Sequence, residues 1–290
     1  MKKPLSILSV VSVGFLALPL TAVAEGTSPW LPAPGQLALG IAYTYQTADS
    51  AYIMGDADVP VDEITMDGTD EYVVDTTSIQ VSYGISDSLS LDAAVSYTEV
   101  DAGSDPGASE KGLGDSVIGL QWRVVDEYIY PESPTISLRA AALIAGDYPT
   151  NTISSLGKGA DGFELSAIVG KQITPKFSVW GEIGHQNRDN SVPDSLFYNL
   201  NAAVSFTPTL SGSIGFSRKT YSGDLDIAGV GFAPERFPEI NEERSLVKVG
   251  LNYAFASNQG VSLNLATLTD GKNTVNDDLI VSVAYSYGFN

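Results

Sequence analysis

Residues Leu279 to Phe289 read Leu-Ile-Val-Ser-Val-Ala-Tyr-Ser-Tyr-Gly-Phe, and every second side chain in this stretch is bulky and apolar. Successive side chains of a β-strand point to opposite faces. The apolar face comprises Leu279, Val281, Val283, Tyr285, Tyr287 and Phe289. The other face comprises Ser282, Ala284, Ser286 and Gly288. Because that second face is too small and polar to be a buried core, the pattern predicts a strand whose apolar face meets lipid, as in an outer-membrane β-barrel.

The same alternation recurs along the chain and predicts an all-β fold. Twelve strands are expected near residues 36–47, 75–85, 88–100, 114–126, 134–147, 162–173, 176–188, 195–206, 209–221, 245–256, 260–270 and 278–289. Each approaches or exceeds the ~9–11 residues with which a tilted strand crosses a bilayer. An even number is typical of single-chain bacterial barrels. We therefore predict one domain, residues 25–290, that forms a transmembrane antiparallel up-and-down β-barrel.

The connections between these strands alternate in length, as they do in bacterial barrels. Short turns are expected near residues 86–87, 127–133, 175, 208 and 257–259. Longer segments are expected at residues 48–74, 101–113, 148–161, 189–194, 222–244 and 271–277. Outer-membrane barrels have short periplasmic turns and longer external loops. This arrangement predicts a multi-pass protein in the outer membrane of a Gram-negative bacterium, with both termini in the periplasm.

The N-terminal residues have the pattern of a secretory signal peptide. Lys2 and Lys3 precede an apolar stretch at residues 5–20, and Ala22-Val23-Ala24 is a small-x-small cleavage site. We expect residues 1–24 to be a signal peptide and the mature chain to begin at Glu25. The alternative is a membrane anchor, but the apolar stretch is short for a spanning helix and is interrupted by serines and Pro19.

The net charge of −20 arises from 35 acidic and 15 basic residues. A nucleic-acid-binding protein needs a basic surface to neutralise phosphates, so we expect no nucleic-acid partner. The chain has no cysteine and one histidine, and no motif indicates a cofactor. The expected partners are outer-membrane lipid and lipopolysaccharide, the barrel-assembly machinery and a small-molecule solute.

The alternation also predicts which charged side chains point into the barrel. These candidate lumen residues are Asp92, Asp115, Arg123, Arg139, Glu164, Glu182 and Lys248. Asp92, Arg123 and Arg139 lie on neighbouring predicted strands, three or four residues from a strand end. One interpretation is a ladder of Asp92 with the two arginines that forms a solute-selecting constriction. The other is that these charges only pair with one another to satisfy a polar interior.

The first long connection is densely acidic. The candidate ligands for a divalent cation there are the carboxylates of Asp56, Asp58, Asp62, Glu63, Asp67 and Asp70. Calcium or magnesium binds carboxylate oxygens and would bridge them to lipopolysaccharide phosphates. The spacing matches no EF-hand loop, so a solvated, repulsive surface loop is the competing interpretation.

The histidine, His185, lies near the outer end of a predicted strand and invites comparison with outer-membrane phospholipase A. That family is similar in its twelve strands and uses histidine, serine and asparagine near the outer rim. Its pattern places a serine two residues after the histidine, where this chain has Asn187. Without that nucleophile the acyl-transfer machinery is missing from the site, so we predict that the protein is not an enzyme.

A second resemblance lies in Gly112-Leu113-Gly114-Asp115 and the following Gly119-Leu120-Gln121-Trp122-Arg123. These residues resemble a strand motif of the outer-membrane proteins associated with the phenol meta-cleavage pathway. The resemblance implies a barrel that passes small compounds, often hydrophobic or aromatic ones. The predicted function is therefore an outer-membrane channel or facilitator for passive diffusion of small solutes. The alternatives are a structural or adhesive barrel with a closed lumen and acidic external loops, and an outer-membrane lipid hydrolase.

Overall fold

The computed structural model of the chain describes residues 27–54, 57–64, 69, 71–103 and 108–289. The predicted signal peptide, residues 1–24, lies outside this part of the chain. Helix is confined within it to α1 (Val61–Ile64) and a 3₁₀ helix (Pro234–Glu239). None of the described helices is long and apolar enough to cross a membrane.

The rest of the described chain is mainly β-structure. The strands are β1 (Leu37–Ala48), β2 (Ser50–Ile53), β3 (Ala57–Pro60), β4 (Tyr72–Ser86), β5 (Leu89–Asp101), β6 (Ser109–Leu113), β7 (Ser116–Val125), β8 (Thr135–Ile144), β9 (Gly162–Thr174), β10 (Phe177–Arg188), β11 (Ser195–Ser205), β12 (Leu210–Tyr221), β13 (Glu243–Ala256), β14 (Gln259–Lys272) and β15 (Leu279–Phe289).

Twelve of these described strands close into an antiparallel ring. From β7 to β15 each strand pairs with the next in the chain, and β15 pairs with β1. The ring is completed by β4, which pairs with both β1 and β5, and by the pairing of β5 with β7. The register of β1 on β15 runs from Leu37 opposite Phe289 to Thr47 opposite Leu279. This closed ring confirms the predicted twelve-stranded barrel.

The prediction was wrong in treating residues 101–113 as loop. The five-residue strand β6 lies in that segment and pairs with the end of β5, where Tyr97 is opposite Leu113. The strand is interrupted at Gly114 and Asp115, and β7 then continues the pairing with β5. At this interruption the Asp115 carboxylate accepts hydrogen bonds from Tyr148 and Arg188. The segment predicted as loop at residues 48–74 likewise contains the hairpin of β2 and β3.

The outer face of the ring is apolar and exposed, whereas the inner face is polar and small. On β1, Ile41 and Tyr43 are exposed, while Ala42, Thr44 and Gln46 between and beyond them are buried. Further exposed outward side chains include Leu120, Trp122, Leu138, Leu165, Ile183, Leu200, Ile214, Leu263 and Val283. Water-soluble monomers rarely expose an apolar band of this extent, and transmembrane barrels require one.

The connections define two ends of the barrel. The short-turn end carries the brief connections, such as residues 87–88 between β4 and β5 and residues 175–176 between β9 and β10. The long-loop end carries the extended connections, such as residues 145–161 and 222–242. The alternation of short and long connections agrees with the pattern predicted from the sequence.

Replacing Val283 by arginine is expected to destabilise the barrel in lipid. Val283 faces outward near the middle of β15. A cationic side chain at the middle of the bilayer costs about 2–4 kcal/mol. Leu279→Arg is the matched control, because Leu279 lies at the end of the same strand, where the cost falls to about 0–1 kcal/mol. Urea unfolding in lipid vesicles measures both. Equal destabilisation by the two variants would contradict the placement of Val283 near the middle of the bilayer and of Leu279 near its edge.

Candidate functional site in the barrel lumen

A chain of paired charged and polar side chains runs across one inner wall of the barrel. The Arg139 guanidinium donates two hydrogen bonds to the Asp92 carboxylate, at 3.2 Å from Nε and 2.7 Å from Nη2. The same guanidinium is also ion-paired with Glu164. Glu164 accepts a hydrogen bond of 2.7 Å from Gln186 Nε2, and Gln186 Oε1 accepts one of 2.7 Å from Lys219 Nζ. Only 7% of Arg139 is exposed, so the network is part of the barrel interior.

Arg139 and Asp92 therefore meet as the sequence predicted, but Arg123 does not join them. Arg123 lies at the end of β7, where its guanidinium donates to the backbone carbonyl of Asp87 and pairs with Asp126 at 3.0 Å. Arg123 thus connects the β4–β5 turn to the β7–β8 turn at the short-turn end. The prediction that Arg123 joins Asp92 and Arg139 is wrong. Asp126 lies only three residues further along the chain and pairs with Arg123 instead. Whether the remaining pair selects solutes stays a prediction.

Glu182 is a second buried lumen carboxylate, and Ser166, Asn199 and Thr27 donate neutral hydrogen bonds to it. Ser166 Oγ donates to Glu182 Oε1 at 2.7 Å, and Asn199 Nδ2 lies 3.4 Å from Oε2. The remaining donors are the backbone N–H of Thr27, at 2.8 Å from Oε2, and its hydroxyl, at 3.1 Å from Oε1. Thr27 precedes the barrel by ten residues, so the chain before β1 reaches deep into the lumen.

The N-terminal segment, residues 27–36, crosses the lumen at the short-turn end. Gln121 Nε2 donates to the Ser28 carbonyl and Ser137 Oγ donates to the Pro29 carbonyl, both at 2.8 Å. Trp30 Nε1 donates to the Glu127 carboxylate at 2.9 Å. The Trp30 ring packs edge-on against Trp180, with 5.8 Å between ring centroids. The sequence analysis assigned no role to residues 27–35, because a segment without periodicity carries no signal for distant partners.

The wall formed by β11–β14 is more open than the wall that the N-terminal segment contacts. Seven inward residues of these strands are small or polar and only partly buried, namely Asn201, Ser213, Lys248, Gly250, Asn252, Ser262 and Asn264. Lys248 lies opposite Gly215 on one side and Ala266 on the other. The Lys248 side chain and Asn201 Oδ1 lie over Gly215, since a Cβ there would be 3.5 Å from Lys248 Cε and 2.7 Å from Asn201 Oδ1. The lumen is therefore asymmetric, with one filled wall and one wall accessible to solvent.

A small polar hollow of about 40 Å³ lies between the N-terminal segment and β4, β5 and β7. Ser82, Asp92 and Gln121 are among its lining residues. This volume holds about one water molecule. A larger hollow of about 390 Å³ surrounds Gly181 on β10, with the exposed Val169 and Leu200 beside it. Because these two side chains point outward, the larger hollow belongs to the lipid-facing surface and not to the lumen.

The long-loop end is covered by connections that are bonded to one another. Arg188 pairs with Asp115 at 2.8 Å, and the Tyr148 hydroxyl donates to the same carboxylate. Burial and the hydrogen bond to Asp115 raise the pKa of Tyr148. Lys158 pairs with Glu242 at 2.7 Å. The candidate lumen residue Asp115 thus anchors the cover of the barrel.

Glu242 and Lys158 stabilise each other's charge. Burial alone would raise the pKa of the Glu242 carboxyl, but the charge and hydrogen bond of Lys158 outweigh it and hold this pKa below its ordinary value. Burial alone would lower the pKa of Lys158, but Glu242 raises it above its ordinary value. The pair is therefore ionised at neutral pH and links residues 145–161 to the chain that leads into β13.

An apolar cluster lies beneath this cover, on the inner face of β13–β15. Leu246, Leu268 and Ile280 are buried there, and Tyr52 of the β2–β3 hairpin packs against them. The hairpin is held in the mouth by the backbone, since Tyr52 N donates to the Thr274 carbonyl at 2.8 Å. Sequence reasoning assigned no role to Tyr52, because its position in an acidic loop gave no indication that it turns inward.

The predicted cation-binding loop is described only in part. Asp58 lies on β3, and Asp62 and Glu63 lie on α1, with all three side chains exposed. Asp56, Asp67 and Asp70 lie outside the described residues. Within the described ranges no group of three or more His, Asp or Glu side chains is placed to hold a metal ion.

His185 faces outward at the long-loop end of β10. Its Nε2 atom lies 3.4 Å from the Asp194 carboxylate, and both side chains are about half exposed. Asn187 Nδ2 donates to the same carboxylate at 2.7 Å. Ser195, the adjacent serine, instead points into the lumen and bonds with Gln186. The histidine and this serine lie on opposite sides of the wall, so the two do not form a nucleophile–base pair.

Comparison with known proteins agrees with this architecture. Residues 47–278 match a family described as "Putative MetA-pathway of phenol degradation". An outer-membrane channel from Pseudomonas putida F1 superposes with a TM-score of 0.71 at 16% identity, over 92% of this chain and 100% of that one. The NanC porin superposes with a TM-score of 0.51 at 7% identity, over 86% and 98% of the two chains. At these sequence identities, the two structural matches show that the fold is shared and nothing further. No curated protein matches the sequence.

Replacing Arg139 by alanine is expected to lower the free energy of unfolding by about 3–5 kcal/mol, because Asp92 and Glu164 would lose their shared cation inside the barrel. Arg236→Ala is the control, since Arg236 pairs with Glu239 at an exposed site where solvent screens the interaction. Urea titration of the refolded protein measures both values. A loss at Arg139 no larger than at Arg236 would refute a structural role for the network.

Acidification is expected to weaken the cover of the long-loop end through Glu242. Its pKa is lowered in the fold, so its stabilisation is complete above the ordinary glutamate pKa, about 4.3, and is lost as the pH falls through the folded value. Glu242→Gln should remove this part of the pH dependence of the melting temperature. Glu243→Gln is the neighbouring control, because Glu243 pairs with Arg218 instead. Identical pH profiles for wild type and Glu242→Gln would contradict the prediction.

Proposed function

The chain belongs to this phenol-degradation family, and on that premise we propose that it is an outer-membrane channel through which small solutes diffuse passively. The matched residues 47–278 include Gly112–Asp115 and Gly119–Arg123, on which the resemblance was based. The proposed location is the outer membrane of a Gram-negative bacterium. The short-turn end would face the periplasm, as in other bacterial barrels, which puts both termini there.

The observation that carries this proposal is the open wall formed by β11–β14. Twelve strands enclose more space than small inward side chains can fill, so the residues on the walls decide whether a path exists. Asn201 and Lys248 lie over Gly215, and Ser213 and Asn264 lie over Gly250. All four of these polar side chains are only half-buried, so solvent reaches them inside the barrel. A small solute would pass along this wall while the Asp92–Arg139–Glu164 network supports the opposite side.

The mouth supports a preference for solutes with an apolar part. A solute that arrives from the long-loop end meets Tyr52, which packs over the buried Leu246, Leu268 and Ile280. Apolar constrictions hinder ions and water by dewetting, whereas an aromatic or aliphatic group can pack against them. Small amphipathic compounds, such as aromatic ones with a polar substituent, satisfy both the apolar mouth and the polar wall.

Single-channel recording of the refolded barrel in planar bilayers tests the proposal. Discrete conductance steps are expected for wild type. Silence from a folded, heat-modifiable barrel would contradict a channel and favour a structural or adhesive protein with a closed lumen.

Reversing the charge on the open wall with Lys248→Glu is expected to shift the permeability ratio toward cations by about fivefold, equivalent to about 1 kcal/mol for a nearby charge in water. Lys176→Glu is the matched control, since Lys176 is exposed on a short turn outside the lumen. Reversal potentials in a salt gradient measure the ratio. An equal shift in both variants, or none in either, would show that solutes do not pass beside Lys248.

A further inference from the structure

The lipid-facing hollow of about 390 Å³ surrounds a glycine, whereas most outward positions of the barrel carry bulky apolar side chains. Gly181 points outward from β10 and lies opposite Val169 on β9 and Leu200 on β11. The outward residues diagonal to it, Ala167 and Ala202, are small as well. Three neighbouring strands thus form an apolar recess in the surface that meets lipid.

A recess of this size has to be filled when the barrel is in a bilayer. Its volume is about thirteen times the roughly 30 Å³ that one water molecule occupies in the liquid. Side chains such as Val169, Val179 and Leu200 offer water no hydrogen bonds, and atoms that face a void lose their dispersion contacts. An acyl chain that bends into the recess restores those contacts. The shape therefore favours one lipid chain in a fixed position.

The side of the hollow nearer the short turns has a cationic rim. Lys171 points outward from β9 opposite Val179, and its ammonium donates to the Ser133 carbonyl at 2.7 Å and to the Pro131 carbonyl. These bonds hold the β7–β8 turn against the outer face of β9, where Pro134 borders the hollow. The recess therefore runs from an apolar floor at Gly181 to an ammonium group at its rim.

The Lys171 ammonium can still accept an anionic partner from outside the barrel. It has three N–H donors, of which two serve the carbonyls of the turn. The Glu127 carboxylate is 3.8 Å away, beyond hydrogen-bond distance, and binds Trp30 Nε1 and the backbone N–H of Gln172 instead. The Lys171 side chain is 29% exposed. A phosphate oxygen at the rim would complete its hydrogen bonds and balance its charge.

The depth of the hollow agrees with a lipid of one leaflet. Gly181 is four residues from Phe177, where β10 begins, which is about 13 Å along the strand. The hydrocarbon core of a bilayer is about 30 Å thick, so the recess lies in the half nearer the short turns. Tyr128 and Tyr130 are exposed on the β7–β8 turn, and aromatic side chains at that level are typical of the membrane interface.

From this geometry we propose that the hollow at Gly181 binds one phospholipid, with an acyl chain in the recess and the phosphate beside Lys171. The bound lipid would hold the β7–β8 turn against β9. A second copy of the barrel is the competing occupant, but a stable protein interface buries about 1,000 Å² or more, which a recess three strands wide does not provide. The inference depends on a membrane location and not on conduction, so it and the channel function can fail separately.

Native mass spectrometry of the folded barrel, released from micelles that contain phosphatidylglycerol, tests the recess. Wild type should retain one phosphatidylglycerol in a saturable manner. Gly181→Leu should weaken retention at least about tenfold, because the leucine side chain takes the space of the acyl chain. Ala142→Leu is the matched control, since it adds the same side chain to an exposed outward position of β8 outside the hollow. Equal retention by wild type and Gly181→Leu would overturn the site.

A comparison of phosphatidylglycerol with the diacylglycerol that has the same chains tests the rim. Lys171→Gln should weaken the retention of phosphatidylglycerol about fivefold, the effect of one lysine beside an anionic lipid, and leave that of diacylglycerol unchanged. Lys111→Gln is the control, because Lys111 is exposed on β6 at the long-loop end. An equal loss of both lipids in Lys171→Gln would show that Lys171 acts only on the turn and would overturn its contact with phosphate.

Photo-crosslinking locates the lipid in the wild-type chain and does not depend on a variant that folds. Phosphatidylglycerol with a diazirine in one acyl chain should attach mainly to β9, β10 and β11. Crosslinks spread evenly around the ring would overturn the site. A dimer that retains no lipid and dissociates in Gly181→Leu would assign the recess to a second copy and would also overturn it. A barrel that retains the lipid but does not conduct would refute the channel alone.

Discussion

Closure of the ring between β1 and β15 is the constraint on which the rest of the structure depends. Inside a bilayer every backbone N–H and C=O needs a protein partner, so a sheet that spans it cannot keep a free edge. The register from Leu37 opposite Phe289 to Thr47 opposite Leu279 pairs the first barrel strand with the last. Since side chains alternate along each strand, this one register decides which residues meet lipid and which share the lumen.

Closure of the ring encloses a lumen, and the two walls of this lumen fill it to different extents. On one wall Arg139 lies between Asp92 and Glu164, and the N-terminal segment covers the strands beside them. A buried guanidinium is tolerated there because carboxylates on β5 and β9 supply its charge partners. On the other wall the inward side chains of Asn201, Ser213, Lys248 and Asn264 are only half-buried. A path for solutes therefore coexists with a wall that is stabilised by charge pairing.

Agreement between sequence and structure follows the range over which each interaction acts. Asp92 and Arg139 were predicted to meet because both point inward near the same end of the barrel, and they do. Arg123 was misplaced because Asp126 competes for it within the same turn. β6 was missed because Ser109, Glu110 and Lys111 have no alternation, and only the edge of β5 makes them a strand. The two-residue period indicates which face of the sheet a side chain occupies, but it does not identify the side chains that it contacts.

By itself the sequence determined the fold class, the number of strands, their approximate bounds and the faces of their side chains, because alternation is a local property that every barrel strand must satisfy. Only the tertiary structure decided that the N-terminal segment enters the lumen, that Tyr52 closes over Leu246, Leu268 and Ile280, and that Lys248 faces an open wall. These contacts join residues about a hundred or more positions apart. Their partners are set by ring closure and strand register, which bring together side chains that no local pattern relates.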